Sequence, residues 1–288
     1  MSENKTYNES VKAMTTAEFE RLSRFIYTHC GIKMPSVKKT MLESRLQKRL
    51  RLLGVGSFRD YCDMLFDSPG GREELVHMID AVTTNKTDFF REPTHFSYLS
   101  ESVLPEFMES VDQQSRPPFT AWSAGCSSGE EPYTLAIALS EFAAGNPGFR
   151  FSITATDIST RVLAKAQAGI YDENQISMIP APIKQKYFLR SKDHSKALVR
   201  IVPRLRSLVT FQRLNLMDEK CMLIEGAVDA LFCRNVIIYF DRDTQRALLS
   251  RLCRYLRKDG CLFLGHSETV HGFDLPIVRI ASTIYRKV

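Results

Sequence analysis

The sequence predicts an α/β fold: an open, mostly parallel sheet covered by helices, preceded by a small all-helical domain and interrupted by a small inserted antiparallel β-subdomain. Three observations predict it. At Phe119–Tyr133, F-T-A-W-S-A-G-C-S-S-G-E-E-P-Y, an apolar strand end runs into a turn of small residues and then a helix opening, as in the first unit of doubly wound sheets. A second apolar run, Arg150–Thr156, stops on an acid, Asp157. Residues 1–83 place their apolar side chains at helical spacing.

The elements follow in order. Residues 1–12 are polar and expected to be disordered. Phe19, Leu22, Phe25 and Ile26 predict a helix from Thr16, capped by Thr15 or Thr16 and ended at Cys30-Gly31. Leu42, Leu46, Leu50 and Leu53 form the apolar stripe of a second helix, Ser36–Leu53, stopped by Gly54. Two short helices, Ser57–Phe66 and Arg72–Thr83, flank Ser68-Pro69-Gly70-Gly71. Residues 84–95 join the domains over a cleft, and residues 96–288 form the α/β domain. A helix over His95–Met108 precedes the strand that begins at Phe119, and a helix from Glu130 to Ala144 follows the glycine turn; acids and Pro132 suit its first turn. Residues 161–184 read as helix and loop. Tyr187–Arg190 and Ala197–Val202 pair as a hairpin within an insertion of about 187–207. Leu208–Arg213 and Asp229–Cys233 are further strands, followed by Asn215-Leu216 and Arg234-Asn235. Asp241–Thr244 cap a helix to Leu256. The turn Lys258-Asp259-Gly260 leads into Cys261–Gly265, and Ile277–Tyr285 is the last strand.

Composition narrows the class. Of 288 residues, 44% are hydrophobic and 25% charged, enough to bury a core, and no run reaches the roughly 18–20 apolar residues of a membrane span. The polar start lacks a signal-peptide core. Seven cysteines, odd in number and without C-x-x-C, read as reduced thiols of a cytoplasmic protein. The six histidines show no ligand spacing, so no metal site is expected. The net charge of +6 is concentrated: residues 33–59 hold eight Lys/Arg against one acid, Glu43. Lys38, Arg45 and Arg49 lie beside the leucine stripe. They can form a solvated face, bind nucleic acid or dock an acidic protein helix; no aromatic residues interleave for base stacking, which argues against nucleic acid.

The small residues Ala124–Gly129 allow close backbone approach. A diphosphate cradle wants uncovered N–H groups and a Lys or Arg, whereas Glu130 and Glu131 sit at this turn's mouth. They suit a cationic, hydroxyl-rich ligand such as S-adenosylmethionine. Asp157 stands where such sheets hold a ribose diol, although a helix cap is the other reading.

Four motifs in this order resemble the chemotaxis receptor methyltransferase family: T-N-K-T-D-F-F-R-E at 84–92, W-S-A-G-C-S-S-G-E-E-P-Y at 122–133, A-T-D-I at 155–158 and F-C-R-N-V-I-I-Y-F at 232–240, with G-H-S-E at 265–268 in support. The resemblance implies a helical domain before a Rossmann-like methyltransferase domain with an inserted β-subdomain. It implies methyl transfer from S-adenosylmethionine, leaving S-adenosylhomocysteine, to receptor glutamates. Asn85, Thr87 and Arg91 are then expected to line the cofactor cleft, Glu131 to face the methionine end, Asp157 the ribose and Asn215-Leu216 the adenine. Arg234-Asn235 form the floor, and Tyr239 stands near the transferring methyl. Lys38, Arg45 and Arg49 become receptor contacts. Some members grip a receptor's C-terminal tether peptide with a subdomain whose turn is glycine-rich; here Ser191–Lys196 has no glycine, so tether independence is expected. The protein is expected to be monomeric, without nucleic-acid or membrane partners.

A glutamate is already ionised at neutral pH, its reference pKa being about 4.3, so the reaction needs no general base. Arg91 is expected to hold the carboxylate and Tyr239 to pack beside the sulfonium, so that catalysis is by positioning. The rivals are N-methylation, for which R-N-V-I-I-Y replaces the N-P-P-Y-like motif, and a cofactor-binding scaffold without turnover.

Overall fold

The computed structural model describes residues 12–68, 71–110, 117–193, 195–219, 221 and 223–288. The chain divides into two compact units, the first ending at Thr84 and the second beginning at Asn85. Residues 85–95, expected as a linker, thus belong to the second unit. The disorder expected for residues 1–12 falls, except for Lys12, outside the described residues.

The first unit is helical: α1 (Thr16–Cys30), a 3₁₀ turn (Ser36–Lys38), α2 (Lys39–Leu53), α3 (Phe58–Asp67) and α4 (Gly71–Val82). Thr15 caps α1 in a capping box with Glu18, and left-handed Gly31 and Gly54 end α1 and α2. Leu42, Leu46 and Leu50 of α2 are fully buried with Leu22, Ile26, Phe58 and Tyr61. Leu53, expected on the stripe, lies at the last turn and is 38% exposed.

The second unit opens with α5 (Thr94–Tyr98), a π turn (Leu99–Val103) and α6 (Leu104–Ser110), where one uninterrupted helix was expected. There follow β1 (Phe119–Ala124), α7 (Glu130–Gly145), β2 (Phe151–Asp157), α8 (Thr160–Ala168), β3 (Ile170–Asp172), α9 (Ala181–Tyr187), β4 (Phe188–Arg190), β5 (Leu198–Ile201), α10 (Pro203–Arg206), β6 (Val209–Arg213), β7 (Val228–Cys233), α11 (Arg242–Tyr255), β8 (Leu256–Leu264), β9 (Ile277–Ala281) and β10 (Ile284–Lys287). The main sheet runs β6-β2-β1-β7-β8-β10-β9. Its first five strands are parallel, with Phe119 opposite Phe151 and Ala121 opposite Ala230; β10 and β9 are antiparallel. β7 is buried at every position, as expected of a strand covered on both faces. Phe96, Phe232 and Phe263 stack in one row, and Trp122 packs edge-on to Tyr255 while its indole N–H donates to Thr156 Oγ1 at 2.9 Å.

Further expectations change. Lys258-Asp259-Gly260, expected as a turn, lies within β8, which starts at Leu256 directly after α11; left-handed Asp259 (φ 65°) marks an irregularity inside the strand instead of a turn before it. Tyr187 ends α9, and β4 begins at Phe188. The insertion is a three-stranded sheet, β3-β5-β4, rather than a hairpin; β3 is only three residues long, too short for a periodic signal. Ile277–Tyr285 is not one strand: it turns at Ser282-Thr283, where Thr283 takes a left-handed φ of 55°, so β9 and β10 form a hairpin. A threonine in that conformation leaves no turn signature in the sequence.

Candidate functional site

The parallel strands end on one edge, at Ala124, Asp157, Arg213, Cys233 and Leu264. Strand order reverses between β1 and β7, the position at which open α/β sheets hold ligands.

The glycine turn is built by its own neighbours. The N–H groups of Gly125 and Cys126 donate to Thr156 O at 2.8 and 2.9 Å, drawing the turn onto β2. A Cβ on Gly125 (φ +80°) would meet Val236 Cγ2 at 2.5 Å, and one on Gly129 (φ +99°) would meet Ala166 Cβ and the Tyr171 hydroxyl at 2.8 Å. At these two positions the protein itself makes the close approach expected of a ligand. Asp157 is buried and accepts from the N–H of Ser127 (2.8 Å) and of Ser159 (2.9 Å). It does not cap α8, since Ser159 does so by accepting from Val162 N–H.

The acids after the turn do not stand at an open mouth. Glu130 is 1% exposed and accepts from Ser128 Oγ (2.7 Å) and Gln175 Nε2 (3.2 Å). Glu131 accepts from Ser123 Oγ at 2.7 Å and from Arg234 Nη1 at 3.0 Å. Burial pushes both carboxyls up, for Glu131 against the pull of Arg234.

Arg234, at the end of β7, is the hub. Its guanidinium donates to Glu131, to Glu92 Oε2 at 3.1 Å and to the carbonyl of Arg91. Glu92 Oε1 also accepts from the His266 N–H (3.2 Å) and Asn235 Nδ2 (3.4 Å). Burial raises Glu92, but Arg234 and the His266 N–H outweigh it and hold the carboxyl below its ordinary range. Asn235 is left-handed (φ 58°), and its N–H donates to Glu268. Glu268 also takes the N–H groups of Gly265, Ile237 and Ile238, and burial still raises it.

The loop before α5 is fastened to this edge. Ser127 Oγ donates to Asn85 O at 3.0 Å, and Phe90 N–H to Thr134 Oγ1 at 3.1 Å. Arg91 Nη1 folds back onto Lys86 O at 3.0 Å. Phe90 and Glu92 both have left-handed φ, 53° and 56°; such strain persists where the surroundings over-determine it, and it gathers at functional sites. Phe89 packs edge-on to Tyr171 and Phe188 of the inserted sheet.

Of the residues singled out in the sequence, Asn85, Arg91, Glu131, Asp157, Arg234 and Asn235 meet in this chain of contacts. Thr87 lies half-buried in the same loop. Asn215-Leu216 join through their neighbour: Leu214 N–H donates to Asp157 O, and Asn215 Oδ1 accepts from Met217 N–H. Tyr239 is half-buried in a 3₁₀ turn (Ile237–Tyr239) just past Asn235. Glu92 and Glu268 had no assigned role, although both stand in the quoted motifs. His95, His266 and Glu92 also converge, their ligand atoms within 4.8 Å of one another; 171 residues of separation hid this.

In the first unit, Arg49 makes a bidentate pair with Glu74 at 2.6–2.9 Å, and Glu74 also accepts from Tyr61. Arg45 donates to Val82 O, Thr83 O and Thr84 Oγ1, closing the end of α4. Lys38 ends the 3₁₀ turn, half-buried.

A mostly parallel sheet with a glycine turn, a buried acid on the next strand and a charged hub at the reversal of strand order defines a nucleoside-cofactor α/β domain. The chain belongs to the CheR methyltransferase family: residues 85–285 match the CheR methyltransferase SAM binding domain and residues 17–83 the CheR methyltransferase all-alpha domain. It is 41% identical over 260 residues to the chemotaxis protein methyltransferase of Borreliella burgdorferi, covering 90% of each chain. It is 40% identical to chemotaxis protein methyltransferase 2 of Pseudomonas aeruginosa (94% of this chain, 93% of that one) and 37% identical to the Escherichia coli chemotaxis protein methyltransferase (95% and 91%).

Proposed function

We propose that the chain methylates glutamate side-chain carboxylates of methyl-accepting chemotaxis receptors, with S-adenosylmethionine as donor, giving glutamate methyl esters and S-adenosylhomocysteine in sensory adaptation. The observation that supports this reading most is the arrangement around Arg234. Its one buried guanidinium already answers Glu92 and Glu131, so the edge is acidic. That suits a sulfonium, an ammonium and ribose hydroxyls, not a diphosphate.

The bound donor supplies an electrophilic methyl. The protein's residues supply position. Asp157, held by two N–H groups, faces the ribose; Glu131, aligned by Ser123 and Arg234, faces the methionine end. Asn215 and Leu216 flank the adenine. Asn85, Thr87 and Arg91 line the cleft, with Arg234 and Asn235 as its floor. Arg91 orients the incoming carboxylate and Tyr239 packs beside the transferring methyl. No base is asked for, and the buried histidine nearby, His95, is held neutral (pushed down to about 4 by burial and by Arg234). Lys38, Arg45 and Arg49 present a basic face to acidic receptor helices in the cytoplasm; with Arg45 and Arg49 also tied to α4, Lys38 carries more of the contact. The protein acts as a monomer and without a tether peptide.

Transfer of labelled methyl to receptor-containing membranes, followed by alkali, tests the reading. Volatile methanol supports the ester. Alkali-stable label would mean methylation of nitrogen. No label, despite calorimetric binding of S-adenosylhomocysteine, would favour the scaffold. Equal transfer to receptors with and without their C-terminal peptide tests tether independence.

A further inference from the structure

We propose that Glu92, His95 and His266 form a binding site for one divalent transition-metal ion of the zinc class, open to solvent on the His266 side. Geometry carries the argument. Glu92, His95 and His266 each offer one ligand atom, all within 4.8 Å of one another. His95 is 1% exposed; its Nε2 is held 2.9 Å from Thr283 Oγ1, while its Nδ1 has no hydrogen-bond partner among the described residues and faces Glu92 Oε2 at 3.6 Å. A buried ring nitrogen without a hydrogen bond, facing a carboxylate, is open to a cation that sits between them.

The separation fits such a group. Two ligands at about 2.1 Å from a tetrahedral ion stand roughly 3.4 Å apart. The outer contacts fit too. Metal-bound histidines donate their second N–H to an oxygen, and metal-bound carboxylates are themselves hydrogen-bonded; with Nδ1 on the ion, His95 Nε2–H would have Thr283 Oγ1 as its acceptor at 2.9 Å, and Glu92 accepts from Arg234, Asn235 and the His266 N–H. Glu92 Oε2 accepts one of these bonds and has a second lone pair. Arg234 opposes a cation, but Glu92 and Glu131 both pair with it, so the pairings leave a surplus of negative charge. The exposed His266 ring, 5.3 Å from that of His95, already offers a ring nitrogen within 4.8 Å of the other two ligand atoms, and a fourth position is left for water. An ion there would clasp the loop before α5 to the end of β8. It does not depend on which substrate the protein methylates.

The test is a titration of the chelator-treated full-length protein with Co²⁺, then Zn²⁺. One equivalent of Co²⁺ should give the visible bands of a four-coordinate site, and Zn²⁺ should abolish them. His266→Ala, which keeps the backbone N–H to Glu92, should weaken Co²⁺ binding at least tenfold while leaving the melting temperature of the metal-free protein unchanged. Added Zn²⁺ should raise the melting temperature of the wild type more than that of His266→Ala at the same concentration. Absence of the bands, equal affinity in His266→Ala, or an intense thiolate charge-transfer band from a cysteine site would each overturn the proposal.

Discussion

Arg49 in the helical unit and Arg234 in the α/β unit are both arginines whose guanidinium groups are tied to carboxylates, yet they do different things. Arg49 meets one acid, Glu74, fork to fork, and Tyr61 fills the remaining acceptor position. The charges cancel, and the backbone around the pair is ordinary helix. Arg234 is shared between two acids and a carbonyl, and its chain neighbour Asn235 and its partner Glu92 both have left-handed φ. The first arrangement is complete in itself. The second holds more acid than base and strained backbone, as expected of a group of residues kept for a ligand rather than for stability.

The largest effect that would test this contrast is expected from Arg234→Met. It strands Glu92 and Glu131 without their cation, which costs about 3–5 kcal/mol. Trp122, the sole tryptophan, is buried in the α/β unit and reports its urea transition by fluorescence. The loss should shrink on acidification. Burial already raises Glu131, and without Arg234 it rises further. A folded-state pKa above the unfolded one gives stability that is present at low pH and lost as pH rises through the folded value. A pH-independent loss would mean that Glu131 is not the stranded charge. Arg49→Met should cost on the order of 3 kcal/mol by the helical far-ultraviolet signal, and Arg49→Met with Glu74→Met should recover most of it, because the pair is self-contained.

The same contrast explains what could be read from the sequence. The leucine stripe up to Leu50, the glycine stops at Gly31 and Gly54, the parallel strands and the acid that ends β2 leave local patterns and stand where expected, whereas the π turn within 95–108 and the β8 residues 258–260 leave none that could be read. The pairing of Arg49 with Glu74 leaves none: eight basic residues in one segment look alike in sequence, and only the packing of α4 against α2 separates those that are used internally. The Arg234 hub was half legible. Its residues lie in the motifs at 84–92, 122–133 and 232–240, but nothing in the sequence gives Glu92 a role; left-handed Phe90 and Glu92 bring its carboxylate to Arg234 and Asn235 just past β7. The β9–β10 turn at Thr283 and the three-residue β3 carried no periodicity to detect.

Arg45→Ala separates cap from docking face. Arg45 closes the last carbonyls of α4, so its loss should cost about 1–2 kcal/mol, whereas Lys38→Ala should leave the melting temperature within a degree. If the basic face docks receptors, Lys38→Ala should raise KM for receptor membranes with kcat unchanged, an effect that high salt mimics. A kcat loss instead would place Lys38 outside docking.

The smallest effect is silent at neutral pH. His95 is held neutral, its pKa pushed down to about 4 by burial and by Arg234, against about 6.5 in an unfolded chain. Between those values the unfolded state binds the extra proton, so this histidine makes stability rise with pH from about 4 to 6.5 and be flat above. In chelator, His95→Gln keeps a donor to Thr283 without a titrating ring, so its Trp122 urea midpoint should fall less steeply than the wild type's as pH drops through that window. Parallel slopes for His95→Gln and wild type would mean that His95 is protonated in the folded protein. That result would also put a proton on the ring nitrogen that faces Glu92, where the proposed ion would sit.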